Sequence, residues 1–380
     1  MPNEKGDWIN QRDSNFDSLV EIGNKKSKDA LLIDYTGGIK TGRDAWSWGF
    51  QKENITTKIK ESIKYYEENI GNIDVYSQTT NKISWTSSLK KQFEKGQQIV
   101  YEEDRIFVGM YRPFTKKYVY YSKALVDRQY QMPKVFPNKN AKNSLIAISN
   151  KTEGKKFTSL FIDVLPDVNL FAGGSQNLPQ LLFDNMGGYS AVRTDILKRF
   201  DDLSEEDLFY YIYGIFHSKD YEKTYHQDLS KSFPRLPNVS NKTDFIEIGK
   251  RLAYLHLNYE KIPAYEAVEI VYKTDNPSFK VNKKMKHPKR GQLDTIIFNE
   301  DIIIKSIPVK AYEYVVNGKP AIEWIIDQYQ VKDRESGIVD DPNGFSDNPK
   351  YIFNLLLSII NVSMQTMDLV ESLPPLEIID

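Results

Sequence analysis

The 380-residue sequence predicts an α+β fold: a β-rich antiparallel or barrel-like lobe, helical lobes and a long C-terminal helix. Three observations carry this expectation. Between Ile99 and Phe183, short apolar runs alternate with Gly, Pro and Asn, as in strands joined by turns. Around residues 55–70, 204–216 and 245–255, apolar residues instead recur at three- and four-residue spacing. A last apolar-faced stretch from Pro349 to Val370 stops at Pro374-Pro375.

Residues 1–50 are loop-rich, with "LLIDY" as a short strand and "TGGIKTGRDAWSW" as a glycine-punctuated turn. In "NITTKIKESIKYYEENIGN", Ile55, Ile59, Ile63, Tyr66 and Ile70 share a helical face, with Asn54 as N-cap and Gly71 as stop. "RIFVGMY" and "KYVYYS" flank "RPFTK" as a hairpin, and "SLIAIS", "FTSLFIDVL", "VNLFA" and "PQLLF" follow as strands. Ser204 with Asp207 resembles a capping box ahead of a helix whose buried face carries Leu208, Tyr211, Ile212, Ile215 and Phe216. "SKDYEKTYHQDL" is a second helix. "KTDFIEIGKRLAYLHLN" is a third, with Phe245, Ile248, Leu252 and Leu255 inward. "AVEIVYK", "TIIFN", "DIIIKSIPV" and "AYEYVV" return to strands, Asn317-Gly318 turns the chain, and "KPAIEWIIDQYQV" is helical. The closing helix from Pro349 is amphipathic and is expected to be a solvated bundle helix, with an acidic docking face as the alternative.

Composition narrows the function classes. The chain is 40% hydrophobic and 27% charged, which supports a core in a soluble protein. It has no cysteine, which excludes disulfides, thiolate zinc sites and Cys nucleophiles and fits a cytoplasmic location. No apolar run reaches the ~18 residues of a membrane span, and "MPNEKGDWINQRD" lacks the blocks of a signal peptide.

Catalytic patterns are missing. "EGKK" lacks the glycines of a phosphate loop, and "FAGGS" at 171–175 reads as a tight turn rather than a nucleotide site. "NPKY" at 348–351 is nearest to the Pro-Pro-aromatic turn of an adenine-N6 methyltransferase, and a helix start explains it better. "PD" at 166–167 has no E-x-K to complete a nuclease motif. The histidines His217, His226, His256 and His287 form no metal-ligand spacing. His217 is expected at a helix end, where a cation suits the dipole.

What remains is charge pattern. The net charge is −1, yet from Arg112 to Lys156 eleven Lys/Arg face only Asp127 and Glu153. Glu335–Asp380 carries eight acids against Lys350. Such a polarised chain attracts a polyanion on one face. "RPFTKK" puts Arg112, Lys116 and Lys117 at a hairpin tip, and "DRQYQMPK" offers Arg128, Gln129, Gln131 and Lys134. Lys and Arg neutralise phosphates, while Arg and Gln can read base edges in the major groove. Tyr118 and Tyr120 can stack or bond phosphates, though a solvated hairpin with Tyr and Val in its core reads equally from any one residue. Arg43 fits either a structural ion pair with Asp44 or a DNA contact. "KVNKKMKHPKR" at 280–290 reads as an exposed basic loop.

In order along the chain, "PNEKGDWINQRD", "TGRDAWSW", "MYRPFTKKYVYYS", "DRQY", "FYYIYGIFHSKDYEKTY", "FPRLP", "GKRLAYLHL" and "GKPAIEWIIDQYQ" resemble the C-terminal target-recognition region of Type ISP restriction-modification enzymes. In that family a nuclease, a helicase-like translocase and an adenine-N6 methyltransferase precede the specificity domain. Changes of pattern along the chain set off 55–200 as a helix plus β-rich recognition lobe, 201–262 as a helical lobe, 263–345 as a small β lobe with one helix and 346–380 as the C-terminal helix and tail. The resemblance makes 1–54 a lead-in from the end of the methyltransferase core. It implies a monomeric module for double-stranded DNA, not itself an enzyme and without its own cofactor. Adjacent domains of the parent would use S-adenosylmethionine, ATP and Mg²⁺. Arg112, Lys116, Lys117, Arg128 and Lys134 are then expected on phosphates, with Gln129, Gln131 and Arg43 near bases. The alternatives are a protein- or RNA-interaction module, and a nuclease with an unrecognised carboxylate site.

Overall fold

A computed structural model of the chain describes Asp7 and residues 11–78, 80–150, 156–201 and 203–379. Two four-stranded sheets lie at its centre. The first runs in the order Thr36–Gly37, Ser175–Pro179, Leu145–Ser149, Ser159–Ile162, antiparallel throughout. Every residue of Leu145–Ser149 and Ser159–Ile162 is buried, so these strands read as continuous runs rather than as an in-out alternation. The second runs Trp48–Gly49, Thr115–Tyr120, Ile106–Arg112, Leu165–Pro166, with the last pair parallel. The two sheets do not close into a barrel; a bridge between Ile39 and Asp167, with the Ile39 N–H donating to the Pro166 carbonyl at 2.9 Å, links the edge of one to the edge of the other.

Ile106–Arg112 and Thr115–Tyr120 form the expected hairpin, closed by Pro113-Phe114 with Phe114 in the left-handed region (φ 56°). Its tip is not presented to solvent. Phe114 is fully buried, with its ring against Tyr259, His256 and Tyr314. The tip plugs into the helical part of the molecule, because an aromatic at the turn gains more from burial than from water.

Other expectations need adjustment. "LLIDY" contributes only isolated bridges from Leu32 to Gly23 and Val192, and "VNLFA" is a turn. "AYEYVV" divides into a 3₁₀ turn at Val309–Tyr312 and the two-residue strand Val315–Val316, which pairs with Lys319–Pro320. Asn317 and Gly318 both have positive φ, as a tight hairpin turn requires. The first long helix, Lys52–Glu68, starts one turn earlier than expected, with Gln51 and not Asn54 at its N-cap.

Glu205–His217 begins with the expected capping box: Ser204 Oγ accepts from Asp207 N and donates to its carboxylate. Lys219–Lys231 and Lys242–Leu257 follow as helices. Glu205–His217 and Lys242–Leu257 cross at Gly214 and Gly249. A Cβ on Gly249 would lie 2.0 Å from the Tyr210 carbonyl oxygen, and one on Gly214 would lie 2.3 Å from that of Phe245. His217 does end its helix, but burial pushes its pKa down to about 4, so it is neutral and the helix-dipole argument for a cation fails.

The C-terminal helix, Tyr351–Ser372, is a core helix rather than a solvated amphipathic one. It is long and apolar enough to cross a membrane by length and composition, yet 72% of that apolar window is buried inside the protein. A helix apolar on most sides is a buried helix. One apolar cluster runs from Phe16 to Leu369. A smaller one joins Ile55, Ile59, Ile63 and Tyr66 of the first helix to Leu89, Phe93, Ile106 and Tyr120.

Candidate nucleic-acid interface

The basic window separates in space into two halves. In the hairpin half, acids distant in sequence meet the cations. Arg112 bonds Asp167 at 2.9 Å and lies over the Tyr111 ring. Lys116 bonds Glu260 at 2.6 Å, and Tyr351 donates to the other oxygen of the same carboxylate. Lys117 is buried and bonds Asp340 at 2.8 Å. Asp340 also accepts from Arg334 and from the Phe50 N–H. Burial beside Arg334 pushes the Lys117 pKa down to about 7. Burial acts to raise the Asp340 pKa, but Lys117 and Arg334 outweigh it and hold the carboxyl below its usual range.

These placements correct several assignments made from local charge alone. Lys117 cannot reach a phosphate without leaving its buried pair. Tyr120 is fully buried: its hydroxyl accepts from Glu102 N, and its ring stacks on Tyr101. Tyr118 is half-buried beside Phe345. Arg43 is buried and donates to Thr86 Oγ1 at 2.8 Å, with Asp127 as the nearby charge. It forms no ion pair with Asp44, whose carboxylate accepts from Thr41 and Tyr111 instead. Burial also lowers the Arg43 pKa to about 10.

Lys40, Arg43, Asp44, Tyr111, Arg112, Lys117, Asp167 and Arg334 line a cleft of about 670 Å³. Burial and the neighbouring Asp44 raise the Asp167 pKa to about 7 despite Arg112. At this cleft the Lys117–Asp340 pair ties the hairpin to the strand pair Lys332–Asp333 and Val339–Asp340.

In the second half the cations face outward. Arg128 and Lys134 are exposed, as are Lys123, Lys139 and Lys142, and none of these makes an ion pair among the described residues. Lys151, Glu153 and Lys155 lie outside the described residues. The loop carrying Arg128 and Lys134 is anchored from below. Met132, Val135 and Phe136 are buried, and Met132–Lys134 forms a 3₁₀ turn. Arg128 exchanges two backbone hydrogen bonds with Lys40, at 2.9 and 3.0 Å. The Gln131 N–H donates to Thr36 Oγ1 at 3.0 Å. Gln129 and Gln131 are half-buried and flank Tyr130, which is exposed.

The structure thus brings the 127–134 loop beside the glycine-rich 36–42 segment, which places Lys40 next to Arg128. Lys40 and Tyr130 were missed by reading charge runs alone. The signal for both was their setting: a lone cation in "GGIKTG" and an aromatic between two amides in "DRQYQ".

The model of the Type ISP C-terminal specificity domain family matches residues 30–355. The chain is similar to the ATP-dependent Type ISP restriction-modification enzyme LlaBIII, solved bound to DNA, at 57% identity and a TM-score of 0.96. The match covers 100% of this chain and 25% of that one. A nuclease-deletion mutant of the Type ISP enzyme LlaGI, in complex with a DNA substrate mimic, is 43% identical with a TM-score of 0.91, over 100% of this chain and 30% of that one. The DrdV–DNA complex is alike in fold, at 24% identity and a TM-score of 0.87, over 98% of this chain and 40% of that one. A comparison with curated proteins finds no match.

Proposed function

Because the chain belongs to the Type ISP C-terminal specificity domain family, we propose that it recognises a specific double-stranded DNA sequence on behalf of a bacterial restriction-modification enzyme. The observation that carries this reading is that two Type ISP relatives, each matched over the whole of this chain, were solved on DNA or a DNA mimic. The outward cations support it: Arg128, Lys134, Lys139 and Lys142 form a surface on which phosphates can replace water, and Lys40 beside them pairs with Asp127 at 3.4 Å. Gln129 and Gln131 supply amides able to pair with adenine edges. Methylation, translocation and cleavage, with S-adenosylmethionine, ATP and Mg²⁺, fall to other domains of such an enzyme. This chain positions them on the duplex.

The test is equilibrium binding of the 380-residue chain to a mixed-sequence duplex across a salt series. Four phosphate contacts predict a slope of log K against log salt of about −3.6. Arg128→Glu should weaken binding well over tenfold, whereas Lys116→Gln, which breaks a pair with Glu260, should leave the slope unchanged. A chain with no affinity for any duplex, or with salt-independent affinity, would overturn the proposal.

A further inference from the structure

Among the described residues, five non-glycine positions have positive φ, and two of these are aromatic: Phe114 and Tyr130. Phe114 is explained by the hairpin turn and its burial. Tyr130 is not: its φ is 50°, it lies in no hairpin, and it is 45% exposed. A bulky side chain in the left-handed region is held there by its surroundings, and such residues cluster where ligands bind.

The surroundings are on hand. The Arg128 backbone is bonded to Lys40 on one side, and the Gln131 N–H to Thr36 Oγ1 on the other. The ring lies over Gly37, where a Cβ would meet three of its atoms at 3.5–3.7 Å. One part of the ring is thus fixed on a glycine backbone while the rest faces solvent. A fixed, half-exposed aromatic stands between two amides and beside the Arg128 guanidinium, which is unpaired among the described residues.

We propose that Tyr130 is a base-stacking residue: its ring enters the duplex at one base step and stacks on a base there, while Gln129 and Gln131 address the adjoining edges. The proposal rests on the DNA-recognition reading above. Every base has a π-face, so an aromatic ring can support an unstacked base whatever the sequence, and a pre-fixed ring loses little entropy on contact. Arg128 neutralises phosphate as the ring enters.

The test uses the 380-residue chain. A duplex enriched by the wild type from a randomised pool is made with 2-aminopurine at each position in turn, and fluorescence is read on binding. The wild type should brighten one position, where stacking between neighbouring bases is lost. Tyr130→Phe should keep that signal. Tyr130→Asn suits the left-handed backbone and should lose the signal, weakening binding roughly tenfold or more with an unchanged melting temperature. No brightened position with the wild type, or equal brightening with Tyr130→Asn, would overturn the stacking role while leaving DNA recognition standing. A fall in melting temperature for Tyr130→Asn with unchanged affinity would overturn it too, as a purely structural ring. A wild type that enriches no duplex would overturn DNA recognition itself, and this inference with it.

Discussion

At the residue scale, Asp340 shows why local charge misleads. It accepts from Lys117, Arg334 and the Phe50 N–H, donors from three parts of the chain. Removing this acceptor strands two cations, one of them buried, so Asp340→Ala should cost about 3–5 kcal/mol in denaturant unfolding. Lys117→Met should cost far less. Arg334 still holds Asp340, the new side chain suits the apolar surroundings, and burial has already brought the Lys117 pKa to about 7. Equal costs for the two variants would show that the lysine, and not the carboxylate, is the hub. From the sequence, Lys117 looked like a phosphate contact because its partner lies 223 residues away.

At the element scale, the crossing of Glu205–His217 and Lys242–Leu257 depends on two glycines within backbone contact. Gly249→Ala places a methyl group against the Tyr210 carbonyl, so the helices must move apart. The expected loss is about 1–3 kcal/mol or more, typical of overpacking, although alanine favours an isolated helix. A melting temperature at or above that of the wild type would show that the crossing relaxes without cost. Both helices were legible in the sequence from their apolar period, and Ser204 marked the start of the first. Their contact was not, since a glycine in a helix reads only as a weak position until its neighbour is known. The hairpin was similarly legible as a hairpin. Its burial was not, because an aromatic at a turn is equally compatible with a plug and with an exposed tip.

At the scale of the whole molecule, buried titrating groups pull in opposite directions with pH. His256 is buried and His217 half-buried, and both are neutral at pH 7. Tyr213 Oη lies 2.5 Å from His256 Nδ1, and His256 Nε2 bonds Thr366 at 3.0 Å. Burial lowers both histidine pKa values, that of His217 to about 4. The unfolded chain therefore binds more protons between about pH 4 and 6.5, and stability falls on acidification through that window. Asp167 acts oppositely: its pKa is raised to about 7, so the folded state takes up the extra proton and gains stability as pH falls below 7. Thermal melts at pH 7 and pH 5 should show a net acid loss that is smaller in His217→Gln and larger in Asp167→Asn. A reversed order of the two variants would refute this assignment. By itself, the sequence determined the α+β class, the main helices and the hairpin, because period and turn chemistry are local. Through its motifs it also determined the family. Only the tertiary structure decided which cations are free. Coulomb attraction acts through space, and the fold brings Asp167, Glu260 and Asp340 onto the hairpin while it leaves Arg128 and Lys134 exposed.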